Sequence, residues 1–485
     1  MSPPTDDHDC GWKAYAAAQT QALAEVRAQL EALKRQVYAR RSEKRAPRAK
    51  LPPPIPPVPA DPAQTVIVRT DAKAKRFADL PIDIVPSHVP AAQRTCPHCP
   101  PGTPGMRPVG DGSACEVLDF VAAHLRRRVV QRETLACRCG HIVTAPGPVR
   151  FGDKGMYAAG FVAHLVVAKV AHSIPQNRLA AAYSELGLHL ARQTACDLLH
   201  RAATMLTPLY EAALALVRTA ADVHADETPL RQKDRAGKAY LWSFVTPELT
   251  VHRYATTRSG SVPAEVLGDS TGRLLVDAYT GYNVVTTPGK RARAGCWAHA
   301  RRKLYEHRAH PEVAAALDLI GCIYRIERDA KSRGMTGTDA HLALRRETTR
   351  SVIALIFRWA RGQRRRHDPR SGLGRAIAYL LNNHRELSLF TRHVTLPPDN
   401  NGAERSLRRA AMGRANFLFV GNETSGHHHA VLYTLINSCQ QRGLNPVHYL
   451  TDVLERIDAH PARRIDELLP HRWRPPKERA SAAPP

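Results

Sequence analysis

Apolar and polar positions follow different rhythms along the chain. Between residues 16 and 37 the steps alternate between three and four, through Ala16, Gln19, Leu23, Val26, Leu30, Leu33 and Val37. That spacing is an a/d heptad seam, and it predicts a self-associating coiled coil within residues 14–46. The seam runs into a basic stretch with Arg40, Arg41, Lys44, Arg45, Arg48 and Lys50. Seven prolines follow within residues 52–62. Such a run cannot form a helix or a central strand, so residues 47–65 read as a semi-rigid linker. Residues 93–146 combine paired cysteines with Gly, Pro and short strand-like runs. Residues 150–219 are Ala- and Leu-rich and helical. Their segments QNRLAAAYSELG and ARQTACDLLHRAATML meet at a short turn around Gly187. A helix-turn-helix fits that pattern, as does any helical hairpin.

The rhythm changes at residue 221. VHADETPL, KAYLWSFVT, LTVHRYAT and RLLVDAYTGY are consecutive strand candidates, with a helical stretch only before the fourth. From about residue 298 to 392 the pattern is helical with Arg-rich connections, and a further helix starts near DNNGAERSLRR. The final helices pair HHHAVLYTLINSCQQRG with NPVHYLTDVLERI. Asn445 stands at the N-cap of the second and Pro446 at its first helical position. Residues 475–485 have the composition of a disordered tail.

Composition narrows the function. The chain has 485 residues, with 70 Lys plus Arg against 44 Asp plus Glu, a formal net charge of +26. A surplus of that size calls for a polyanionic partner such as nucleic acid. No stretch approaches the ~18 uninterrupted apolar residues of a membrane span. The acidic, non-apolar start MSPPTDDHDC is not a secretory signal. The ten cysteines include clustered pairs, a usage that points to metal rather than to a disulfide framework. Secreted, membrane-spanning and fibrous classes are thereby excluded.

Three carboxylates stand out by position. Asp226 ends the apolar run in VHADET, Asp277 ends RLLVDAY, and Glu404 opens a helix in NNGAERSLRR. Strand ends place side chains at the rim of a sheet, and a helix packed beside that sheet can bring Glu404 to the same rim. Magnesium favours a few carboxylate oxygens and takes its remaining ligands from water and phosphate. A carboxylate trio in a basic protein therefore suits metal-assisted chemistry at a phosphodiester. Taken singly, each has a plainer role, as a turn, cap or helix-dipole residue. Asp222 and Glu227 compete with Asp226. Neighbours on a strand face opposite ways, so Asp226 and Glu227 should not both point into one site. Around the trio, Lys290, Arg291, Arg293, Arg301, Arg302 and Lys303 lie in a stretch without any acid, and Arg405, Arg408 and Arg409 follow Glu404. Arg291, Arg293, Arg301, Arg302, Lys303, Arg405, Arg408 and Arg409, with His299, are the candidate DNA contacts.

HADETP, LLVDAYTGYN, AGCWAHARRK and DNNGAERSLR, in this order, resemble the large transposase subunit of the insertion-sequence family sixty-six. The resemblance extends to ARRSEK, to the cysteine segment ending VTAPGP and to LERIDAHPARRIDELLPHRW, covering about residues 20 to 473. It implies a multidomain α+β protein. Its catalytic core would be an RNase-H-like α/β fold over 220–425, with a helical insertion near 300–395. A coiled coil, a zinc-ribbon-like domain and a helical domain would precede that core, and a C-terminal helical domain would occupy 426–474. Asp226, Asp277 and Glu404 would form the DDE triad, holding Mg2+ or Mn2+. The implied substrates are the terminal inverted repeats of a mobile element and double-stranded target DNA. The implied setting is a homo-oligomer, with accessory proteins from the same element, at the nucleoid in the bacterial cytoplasm. The rival readings are a metal-dependent nuclease without strand transfer, and a DNA-binding protein derived from a transposase.

Cys96 and Cys99 form a two-ligand knuckle, and Cys137 and Cys139 supply a second pair in which the family spacing is one residue wider. Four thiolates can hold zinc tetrahedrally, and His141 can replace Cys139. Cys296 and His299, spaced CxxH, match family positions; two ligands alone do not make a zinc site, and the pair either braces the core near the triad, contacts DNA, or is simply a packed Cys and a capping His. The expected outcome for the cysteine segment is that zinc removal unfolds it and weakens specific DNA binding. Cys96→Ser should reproduce that loss and Cys115→Ser should not. Elemental analysis decides: well under one zinc per chain, with DNA binding unchanged by chelation, would leave the thiols no metal role.

Overall fold

A computed structural model describes residues 150–152 and 156–475, together with Leu125, Glu133 and two short strands, β1 (Thr134–Ala136) and β2 (Ile142–Thr144). The expected coiled coil at 14–46, the proline linker, the ligands Cys96, Cys99, Cys137, Cys139 and His141, and the tail beyond Pro475 lie outside the described residues. β1 and β2 pair antiparallel, with Ala136 opposite Ile142.

The first long helices are built for burial. In α1 (Ala159–Val170), Val162, Ala163, Leu165 and Val166 are all fully buried, as expected of a helix apolar on every side. α2 (Gln176–Glu185) turns into α3 (Arg192–Thr219) through Gly187, whose φ of 84° is the left-handed conformation that glycine adopts without strain. α3 buries Leu198, Ala202, Leu206, Leu209, Ala213 and Val217, one stripe at steps of three and four.

The sheet follows. β3 (Asp222–Arg231), β4 (Lys238–Val245) and β5 (Thr250–Ala255) form an antiparallel meander. After α4 (Ser261–Leu267), β6 (Arg273–Leu275) pairs parallel to β3, and β7 (Ala292–Ala294) pairs parallel to β6. The order across the sheet is β5-β4-β3-β6-β7. The register sets Asp226 opposite Ser243 and Ser243 opposite His252, which puts the three on one face. Glu227, Trp242 and Arg253 form the neighbouring row on the other face.

The insertion comprises α5 (Trp297–Tyr305), α6 (Pro311–Ser332), α7 (Asp339–Leu344), α8 (Arg350–Arg364), α9 (Gly372–Asn382) and α10 (His384–Ser388). α11 (Asn401–Phe417) then returns over β3 and β4, and α12 (Glu423–Gln441) covers β5. α13 (Pro446–Arg456) packs on α1, its first turn capped by Asn445 Oδ1, which accepts from Val447 N at 2.9 Å. Polar contacts seat the two covering helices. Ser406 Oγ lies 2.6 Å from Ser243 Oγ, His252 N donates to Thr434 Oγ1 at 2.9 Å, and Asn437 Nδ2 reaches the Ser406 carbonyl at 2.9 Å.

Two hydrophobic clusters result. One runs through Val162, Leu206, Val223, Leu241, Val251, Ile436 and Val453. Residues of the segments 150–219 and 426–474 thus share this cluster with the sheet. The other cluster joins Leu275 of β6 and Ala294 of β7 to the insertion's Trp297, Ile320, Ile356, Phe357, Leu380 and Phe390.

Arg345 closes the insertion. It is 2 % exposed, and its Nη1 donates to the carbonyls of Phe390, His393, Val394 and Leu396 at 2.9–3.3 Å. Its Nε and Nη2 grip both Glu327 oxygens at 2.8 and 2.7 Å. Arg345→Leu would leave several carbonyls unpaired and the half-buried Glu327 carboxylate with only His341 Nε2 beside it at 3.3 Å, and should cost about 3–5 kcal/mol. Chemical denaturation measures this; a loss below about 1 kcal/mol would show that water satisfies those groups instead.

Candidate active site

Asp226 lies midway along β3 on the face that α11 covers, rather than at the strand's end. α11 approaches closely because its first turn is small: a Cβ on Gly402 would sit 3.4 Å from His224 Nδ1, and Ala403 is fully buried. Glu404, next along that turn, therefore stands over β3. Asp226, His299, Arg302, Asn401, Glu404, Arg405 and Arg408 line one open cleft of about 590 Å³. Asp277 lies two residues beyond β6. It is not among the cleft-lining residues, yet its charge acts on both Asp226 and His299.

The loop carrying Asp277 is held in place. Asp277 Oδ1 accepts from Tyr279 N at 2.9 Å. Arg293 Nη2 donates to the carbonyls of Asp277 and Tyr279 at 2.6 and 2.8 Å, and its Nη1 to Asn283 Oδ1 at 2.6 Å. Arg293 thus fixes backbone beside the site.

The charges repel. Burial pushes the Asp226 carboxyl up to about 7, and Glu227, Glu404 and Asp277 add to the rise. The backbone N–H of Glu227, which donates to Asp226 Oδ1 at 2.9 Å, offsets only part of this. Glu404 Oε1 and His299 Nδ1 are both buried without a hydrogen-bond partner, 3.6 Å apart. Burial holds His299 below its ordinary value, although the nearby Glu404 and Asp277 pull the other way. Carboxylates that repel one another, one of them with an oxygen lacking a partner, fit a divalent cation.

Glu227 borders the same cleft, but its carboxylate is committed. Oε1 accepts from Arg258 at 2.6 and 2.8 Å, and Oε2 from Tyr282 Oη at 2.6 Å. Neither Arg258 nor Tyr282 could be found from spacing, since each meets Glu227 across more than thirty residues. Asp222, the other competitor, is a structural partner. Burial would raise its carboxyl, but bonds from Arg273 and Thr395 outweigh that and hold it below the usual range.

The basic residues divide. Arg302, Arg405 and Arg408 border the cleft, with the Arg302 side chain 59 % exposed and Nη2 3.7 Å from Glu404 Oε2. Lys303 lies over the Tyr379 ring at 4.9 Å, and Arg301 over Tyr305 at 5.6 Å. Arg291 departs from the expected DNA-contacting role. It is 1 % exposed and its guanidinium donates to the Val217, Arg218 and Ala220 carbonyls that end α3, at 3.0–3.3 Å. Arg409 also turns away from the cleft, toward the Ala171 carbonyl and Asn437 Oδ1, both at 3.3 Å.

The chain matches the family model described as "Transposase IS66 family" over residues 154–428, and the "IS66 C-terminal element" over 434–471. It is 31% identical over 453 residues to "Uncharacterized protein y4jD" of Sinorhizobium fredii (strain NBRC 101917 / NGR234), covering 86% of this chain and 87% of that protein. It is 28% identical over 420 residues to "Uncharacterized protein y4hP" of the same strain, covering 80% and 74%.

Asp226 makes stability depend on pH in a defined direction. Its folded value of about 7 lies above the ordinary 3.8, so the folded state binds more protons between those limits. The Asp226 contribution therefore falls as pH rises from about 4 to about 7, then stays level. Without divalent cations, Asp226→Asn should melt above wild type at pH 8, and the gap should close near pH 4. Equal melting temperatures at pH 8 would contradict the charge repulsion.

Proposed function

The chain belongs to the IS66 transposase family, and from that membership we propose that it is a DDE-type DNA transposase whose triad is Asp226, Asp277 and Glu404. The single observation that carries the assignment is that the charges of Glu404 and Asp277 both act on the buried Asp226 carboxyl beside an arginine-lined cleft. The sheet order, an antiparallel meander followed by two parallel strands, supports an RNase-H-like core, and α5 to α10 fit the insertion between the second Asp and the Glu.

The residues divide the work. The three carboxylates would hold Mg2+ or Mn2+, which when bound activates an attacking oxygen and stabilises the leaving one at phosphorus. Arg302, Arg405 and Arg408 offer charge-assisted contacts to the phosphates flanking the scissile bond, and phosphate contacts position DNA without reading its sequence. Arg293 keeps the loop of Asp277 in place, and Asn400 the first turn of α11 that carries Glu404. Hydrolysis at the element's terminal inverted repeats would expose a 3′-hydroxyl, and attack of that hydroxyl on a target phosphodiester would join the two DNAs. The net charge of +26 suits these polyanionic substrates. Among the described residues, no helix is long and apolar enough to cross a membrane. We place the activity on chromosomal DNA in the bacterial cytoplasm, in a homo-oligomer joined through the coiled coil, with accessory proteins of the same element as partners. The N-terminal cysteine pairs would carry structural zinc.

Asp226→Asn, Asp277→Asn and Glu404→Gln should each lower strand cleavage by roughly a hundredfold or more with magnesium present. DNA binding should stay within roughly threefold of wild type, because phosphate contacts remain. An assay of cleaved and joined DNA products checks both steps. Full cleavage by any one variant would remove that residue from the triad, and cleavage without joined products would favour a nuclease.

A further inference from the structure

Cys296, His299 and Glu404 come together from two helices. Cys296 caps the N-terminus of α5, His299 sits in its first turn, and Glu404 sits in the first turn of α11. One ligand atom from each lies within 4.8 Å of the other two. The ligands of a tetrahedral zinc ion stand about 3.5 Å apart, as its bond lengths require. The His299 Nδ1 to Glu404 Oε1 separation of 3.6 Å already matches that spacing. It is too long for a hydrogen bond, and both atoms are buried and unpartnered. Buried polar atoms normally find partners, so two orphans facing each other beside a thiol call for a ligand. Asn400 N donates to Cys296 Sγ at 3.2 Å, as a backbone N–H does for a metal-bound thiolate, and a bound cation would offset the burial that pushes this thiol up to about 11. Arg302 Nη2 stands 3.7 Å from the other carboxylate oxygen, Oε2.

We propose that Cys296, His299 and Glu404 form a mixed sulfur, nitrogen and oxygen site for a zinc-class divalent cation, adjoining the carboxylate site and sharing Glu404 with it. Thiolate and imidazole select such ions over magnesium, whose ligands are oxygens. Three protein ligands are the number found in open zinc sites, and His299 and Glu404 both line the cleft that gives access. The ion would staple the start of α5 to the start of α11 and so fix the position of Glu404. The site stands on these residues alone and does not require the transposase reading.

Cobalt(II) is the probe, titrated into the full-length protein after zinc is stripped. Subtracting the Cys296→Ser titration removes the contribution of every other thiol, including the N-terminal pairs. Wild type should bind one more cobalt per chain than Cys296→Ser and show a thiolate-to-cobalt charge-transfer band that the variant lacks. His299→Ala, at a partly exposed position, should weaken that extra cobalt by roughly tenfold or more. Cys439→Ser, which removes another buried thiol, should leave the band intact. Asp226→Asn should also leave it intact, so a failed triad assignment and a failed mixed-ligand site give different results. Equal cobalt stoichiometry and superimposable spectra for wild type, Cys296→Ser and His299→Ala, all with native circular dichroism, would overturn the proposal.

Discussion

Asn400 is the point on which the site's geometry depends. It is fully buried, and three segments distant in sequence meet on it. Its side-chain amide donates to the Ala225 carbonyl at 2.7 Å, one residue before Asp226. Its backbone N–H donates to Cys296 Sγ at 3.2 Å, and its carbonyl accepts from Glu404 N at 3.2 Å. A single residue thereby joins β3, the start of α5 and the start of α11. Two adjacent bonds reinforce the junction. Trp297 N donates to the Pro398 carbonyl at 2.9 Å, and Trp297 Nε1 to Leu387 at 2.8 Å. The long insertion can therefore grow between the second Asp and the Glu without moving Glu404, because both of its ends are tied to the same buried node.

That node holds like charges close together at an energetic cost. Burial is the first reason the Asp226 carboxyl is raised, and the charges of Glu227, Glu404 and Asp277 add to it. Nearby structural ion pairs show the contrast. Asp222 is satisfied by Arg273 and Thr395, and Glu227 by Arg258 and Tyr282. Within a few residues of one strand, two carboxylates are neutralised by protein donors while Asp226 has only a backbone N–H. An acid kept without a cationic partner, beside arginines that line the same cleft, is the signature of a site completed from outside the chain.

Much of this was legible in the sequence. The β-branched and aromatic runs around Val223, Trp242 and Val251 mark the meander because side-chain alternation is a local property. Asp226, Asp277 and Glu404 stand in long motifs, and it is the resemblance of those motifs that proposes them together. The strand β7 was not legible: Ala292–Ala294 is only ARA, and its strand character comes from pairing with β6. Arg291 misleads for a related reason. Its acid-free neighbourhood looks like a nucleic-acid surface, but its partners are backbone carbonyls at the end of α3, and composition cannot display those. Cys296 and His299 were visible as a pair, while their nearness to Glu404, more than a hundred residues on, was not.

The central claim is that Asp226, Asp277 and Glu404 form one divalent-cation site. Crystals of the protein with a DNA end, grown in Mn2+ and measured at the manganese absorption edge, test it most directly. The account predicts anomalous density between these three carboxylates, lost in Asp226→Asn crystals. Density absent there, or confined to Cys296 and His299, would contradict it.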